Sequence, residues 1–190
     1  MPSKRAIRIG NVSGATGDAP HAMLRMARTG NVDVITGDWL SEMNIAWNAI
    51  TKAENPELGY EVGFLDQLEE SIDSIVEKKV KVITNAGALN TPALAKRVEE
   101  LCLRKGYGKT AEKDGIVVAS VLGDDVSSLV AGGKLDLQHL DHGEKRLSEW
   151  ALGLKPTCAA AYIGAWGVVE ALKAGADIVI CGRVTDASPV

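Results

Sequence analysis

Four segments place glycine and polar side chains directly after an apolar run. Such turns bind ligands where a buried strand ends in an α/β sheet. The first is Gly10-Asn11-Val12-Ser13-Gly14-Ala15-Thr16-Gly17-Asp18. Its small residues let the backbone turn tightly and come close to a ligand, and the helix that follows favours an anion. Asn11, Ser13, Gly14 and Gly17 are the substrate-binding candidates. A plain turn capped by Ser13 or Thr16 explains the same residues equally well, and Asp18 would compete with a phosphate for the helix end. The second is Thr84-Asn85-Ala86-Gly87-Ala88-Leu89-Asn90-Thr91-Pro92, with Asn85 at the strand end and Gly87 and Asn90 behind it. Pro92 suits a first helical turn, which Asn90 or Thr91 would cap.

The third segment is Gly123-Asp124-Asp125. Adjacent side chains point apart, so one carboxylate would serve a site and the other would cap a helix. The fourth is Cys181-Gly182-Arg183-Val184-Thr185-Asp186. Arg183 offers a planar charged fork for a carboxylate or phosphate. Asp186 would pair with it or act as a base. Tyr162, just upstream, would donate to a carbonyl oxygen. None of these segments carries a Ser-His-Asp order, a Gly-x-Gly-x-x-Gly fingerprint or a phosphate loop, so no nucleotide cofactor is expected. His139 and His142, with Asp141 and Glu144 beside them, read as a solvated polar loop rather than a metal site. No metal is assigned.

The elements that must position these residues follow a regular order. Short Val/Ile runs at Ala6–Gly10, Val32–Thr36, Val80–Asn85, Ile116–Leu122 and Ile178–Cys181 are apolar on both faces. That is the signature of parallel strands covered on both sides. Helices are expected at Asp18–Arg28, Trp39–Lys52, Gly63–Lys78, Thr91–Lys105 and Cys158–Ala174, with Trp166 packed between helix and sheet. A shorter helix is expected within Gly143–Gly153. The alternation predicts an α/β fold with a mostly parallel, Rossmann-like doubly wound sheet and helices on both faces. In such a sheet all four polar segments share one edge.

The composition bounds the function. The chain has 190 residues, 46% hydrophobic and 24% charged, with a net charge of −4. Those values exclude wholesale disorder. No apolar run reaches the ~20 residues that span a bilayer, so no membrane partner is expected. Short basic runs among acids, with few aromatics, argue against nucleic acid. Cys102, Cys158 and Cys181 are odd in number and widely spaced, which suits a reducing, cytoplasmic location. Cys102 reads as core.

The same stretches resemble the acyclic terpene utilisation (AtuA-like) family. They are Arg8-Ile9-Gly10 with Ser13-Gly14 and Gly17-Asp18, Thr84-Asn85-Ala86-Gly87 with Asn90, and Gly123-Asp124-Asp125. Tyr162-Ile163-Gly164-Ala165-Trp166, Gly175-Ala176-Asp177-Ile178-Val179-Ile180 and Gly182-Arg183-Val184 complete the match. The resemblance implies catabolism of branched or terpenoid acids as coenzyme A thioesters, and a single domain that is the amino-terminal part of a longer protein.

Two function classes follow. One is a lyase- or hydratase-type enzyme on an acyl or acyl-CoA substrate, with Asn85 stabilising an oxyanion and Asp125 or Asp186 moving the proton. The other is a non-catalytic acyl-binding or assembly subunit. A homo-oligomer is expected as well, because the strand at Ile178–Cys181 is followed by no helix that would cover it.

Overall fold

The computed structural model describes residues 5–14, 18–110, 115–150, 156–186 and 188–190. Five strands form one all-parallel sheet: β1 (Ile9–Asn11), β2 (Val34–Gly37), β3 (Lys81–Ala88), β4 (Val118–Val121) and β5 (Ile178–Gly182). The helices are α1 (Ala22–Thr29), α2 (Glu42–Glu54), α3 (Val62–Lys78), α4 (Thr91–Arg104), α5 (Ser127–Ala131), α6 (Leu147–Trp150) and α7 (Trp166–Lys173).

The strand order is β1-β2-β3-β5-β4. The first strand therefore lies at an edge, whereas a Rossmann sheet starts at its centre. The chain steps in one direction from β1 to β3, skips a place to β4, and returns to insert β5. Right-handed crossovers then put α1, α3 and α4 on one face and α7 on the other. Two apolar clusters show this division. Met23, Phe64, Leu68, Ile72, Leu94, Val98 and Leu101 pack on Ile35, Val82, Ile178 and Ile180. Val168 packs on Ile83, Val121, Val179 and Cys181 on the opposite side. Each fully buried side chain of this kind contributes roughly 1.5–3 kcal/mol. Cys102 is buried in the first cluster, as expected.

β5 is thus an interior strand, and every residue of it is buried. The expectation that it lacks cover is corrected: α4 and α7 sandwich it, because insertion between β3 and β4 puts it under helices that precede it in sequence.

Two further corrections concern the segment before β5. Residues 158–165 are not helical. Asp125 bridges Ala160 and Ile163 bridges Val184, so the segment runs extended along the strand ends and the helix begins only at Trp166. Trp166 is 78% exposed and does not pack between helix and sheet. Its position at the start of α7 turns it away from the apolar face that carries Val168. Residues 151–155 of the expected Gly143–Gly153 helix lie outside the described residues.

Candidate functional site

The carboxyl edge of the sheet is built around a break in β3. Its pairing with β5 shifts register between Thr84 and Ala88, and Thr84 Oγ1 accepts the Ala86 N–H. Leaving the ladder aims Asn85 at the end of β2, where it is fully buried. Its Oδ1 accepts the Trp39 N–H at 2.7 Å, and its Nδ2 donates to Asp38 Oδ1 at 2.7 Å. Asp38 Oδ1 also accepts the Leu40 N–H at 3.2 Å. Asn85 therefore fixes the Asp38–Leu40 turn with both ends of its amide.

Asp124 and Arg183 join β4 to β5. The Asp124 carboxylate is 5% exposed, and its Oδ2 accepts the Arg183 N–H at 2.7 Å. Burial pushes its carboxyl above the usual range, against the opposing pull of that hydrogen bond. A Cβ on Gly182 would strike Asp124 Oδ2, and one on Gly87 would lie 2.5 Å from the Cys181 carbonyl oxygen, so both positions require glycine. The Arg183 side chain is also buried. Its Nε donates to Val184 O at 2.7 Å, its Nη1 to Leu40 O at 3.3 Å, and its Nη2 to Asp186 Oδ1 at 2.8 Å. Tyr162 lies 4.5 Å from the guanidinium, face-on, and donates its hydroxyl to Glu42. That bond holds the Glu42 carboxyl below its ordinary range and raises the tyrosine. The fork expected for a substrate carboxylate thus ties β5 to the β2 turn. Asp186 is 74% exposed at its side chain and serves as the outer partner of Arg183.

The remaining candidates divide in the same way. Asn90 donates to the carbonyls of Pro56 and Leu58 and secures the loop before α3. Asn11 is exposed at the end of β1. Ser13 is buried with no partner for its hydroxyl, Gly14 donates its N–H to Asp18 Oδ2 at 2.6 Å, and Gly17 and Thr16 lie outside the described residues. His139 Nδ1 accepts the Asp141 and His142 N–H groups, a local loop arrangement. Among the described residues no group of three or more His, Cys, Asp or Glu is placed to hold a metal ion.

Asp125 differs from the other strand-end groups, because it opens onto a pocket of about 220 Å³ between α2 and the end of β4. Its Oδ1 accepts the Ser127 N–H at 2.9 Å. Burial alone would raise the Asp125 carboxyl, but the Ser127 hydrogen bonds and the nearby Lys52 cation outweigh it and hold it below the usual range. Lys52, Ala49, Ala53, Leu89 and Cys158 share the pocket. Lys52 and Cys158 were not among the sequence candidates, since one comes from the last turn of a helix and the other from the extended run before α7. Asp38 was also missed, although Thr36-Gly37-Asp38 repeats the strand-end signature of the other four segments.

α2 roofs this edge without joining either apolar cluster. Ser41 caps its start, and Asn44 and Asn48 both donate to Glu61 at the head of α3. Burial raises the Glu61 carboxyl against those two bonds. Asn48 and Ala49 are the buried residues of α2, and Met43, Trp47 and Ile50 are exposed.

Comparison with known proteins matches residues 7–190 to the model of the acyclic terpene utilisation family protein AtuA. The chain belongs to this family. No curated protein and no solved structure matches the chain. The family's name points to a role in acyclic terpene utilisation. Among the described residues no helix is long and apolar enough to cross a membrane.

Proposed function

We propose that this AtuA-family chain is a lyase- or hydratase-type enzyme acting on an acyl or acyl-CoA substrate at the carboxyl edge of its sheet. The observation that carries the reading is the pocket at Asp125, where a carboxylate held low by Ser127 and Lys52 lines a small space together with Ala49, Ala53 and Leu89. In the forward step Asp125 takes a proton from the carbon next to the acyl carbonyl. The electron pair moves onto the carbonyl oxygen. Its return forms the carbon–carbon double bond and expels the β-substituent, and hydration is the reverse. Asn85, Asp124 and Arg183 act as positioning residues that hold the strand ends and the β2 turn around this pocket.

The second reading, a non-catalytic acyl-binding subunit, draws on a different observation: nearly every strong polar group at the edge is spent within the chain. Purified protein incubated with a panel of branched acyl-CoA thioesters separates the two. Turnover that Asp125→Asn abolishes supports the enzyme, whereas binding without turnover overturns it in favour of the subunit. A cytoplasmic location belongs to the same proposal, supported by three free cysteines. So does a homo-oligomer, in which a second copy covers the outward stripe of Met43, Trp47 and Ile50.

A further inference from the structure

Asp125 is a weak base for a carbon acid, because its carboxyl is held low. A reaction that depends on it needs the carbonyl oxygen to be stabilised as charge develops there, and Asn85, bonded to the Asp38–Leu40 turn, does not line the pocket. Among the described residues the other charged side chain lining the pocket is Lys52. An ammonium has three donors. Lys52 spends one on the Leu89 carbonyl, which anchors it at the mouth of the pocket beside Asp125. Ala49, Ala53 and Leu89 supply small apolar walls. The volume of about 220 Å³ falls below the ~300 Å³ at which sites for drug-sized ligands begin. The polar part of the lining is Lys52, Asp125, Ser127 and Thr157. Of these only the Lys52 ammonium is a cation, so the pocket fits a short branched chain that ends in a carboxylate or a thioester carbonyl and repels a cationic end.

We propose that the α2–β4 pocket binds the acyl end of the substrate, with the Lys52 ammonium on the acyl oxygen and the hydrocarbon against Ala49, Ala53 and Leu89. This rests on the acyl reading above and names the residues that would recognise the ligand. Any coenzyme portion lies outside the pocket, which is too small to hold it.

Cys158 gives a readout that does not depend on turnover. It lines the pocket and is partly exposed, whereas Cys102 and Cys181 are buried; burial raises all three thiols, Cys102 to about 11 and Cys181 to about 12. Alkylation of the full chain by N-ethylmaleimide, mapped by mass spectrometry, should therefore report on Cys158. The probes are 3-methylbutyrate, its coenzyme A thioester, and 3-methylbutylamine, which has the same hydrocarbon body but the opposite charge. At ligand about ten times Kd, occupancy should slow Cys158 alkylation about tenfold. The acid, the thioester or both should protect, and which of them does identifies the natural form. The amine should not protect, and Lys52→Met should abolish protection. Equal protection by amine and acid, protection that survives Lys52→Met, or no protection by either acyl probe would overturn the proposal. The amine comparison uses the wild-type chain, so it stands even if Lys52→Met folds poorly. Turnover without protection sinks this pocket assignment and leaves the enzyme reading intact. Protection without turnover upholds the pocket and sinks the lyase or hydratase reading.

Discussion

Replacing Asn85 by alanine removes both bonds of a fully buried amide at once. The Trp39 N–H loses its acceptor, and an orphaned buried donor costs about 1–3 kcal/mol. The bond to the Asp38 carboxylate is charge-assisted, and such bonds contribute about 1.5–3 kcal/mol. Together these give a loss of roughly 2.5–6 kcal/mol, before any cavity term. For a chain of this size each kcal/mol lowers Tm by about 2–4 °C, so the expected fall is roughly 5–24 °C. A residue that only capped a helix would cost about 1 kcal/mol, which is clearly smaller. Thermal unfolding by circular dichroism measures the difference, and urea unfolding checks that the slope m is unchanged. Asn85→Asp supplies a second arm. It keeps an acceptor for Trp39 but sets a carboxylate against Asp38, so it should be unstable at neutral pH and recover on acidification. A fall in Tm under about 4 °C for Asn85→Ala, the size of a cap alone, would refute this account of the β2 turn. So would an Asn85→Asp protein as stable as wild type at pH 7.

Gly182→Ala should destabilise the chain by more than an exposed substitution does, about 2 kcal/mol or more, because the new Cβ strikes the buried Asp124 carboxylate and lies 2.7 Å from the Ala88 carbonyl oxygen; wild-type-like unfolding would show that the β4–β5 junction is looser than described. Burial raises the Asp124 carboxyl in the folded state, so its ionisation opposes folding as pH climbs from the ordinary carboxylate range to the raised folded value. Asp124→Asn should therefore gain stability relative to wild type across that window, and urea midpoints from pH 3.5 to 7 that run parallel for the two proteins would contradict it. Trp47→Glu should convert any self-associated form to monomer without lowering Tm, since Trp47 is 67% exposed on the outer face of α2; light scattering that shows one mass for both proteins would remove α2 as the contact.

The sequence by itself determined the secondary elements and the edge at which they converge. Ile178–Cys181 reads as a buried parallel strand because it is apolar at every position, and Val80–Asn85 because Val80, Val82 and Ile83 put apolar side chains on both faces. The glycines at 87 and 182 marked close approaches that the packing of β3, β5 and Asp124 explains. Strand order was not legible in the same way. The insertion of β5 between β3 and β4 depends on long-range pairing, and local periodicity carries no record of which strand becomes a neighbour. That one choice decided that β5 is covered, that residues 158–165 run extended along the strand ends, and that Tyr162 reaches Glu42 and Arg183. It also decided which polar groups are spent and which are available. Asn85 and Arg183 have the residue types of a binding site, but a buried amide or guanidinium must satisfy its hydrogen bonds somewhere, and here the nearest partners belong to the β2 turn. Asp125 lines the pocket because it lies one residue past the buried Asp124. Lys52, 73 residues away in sequence, came to its side only because α2 folds across the sheet edge instead of into the core.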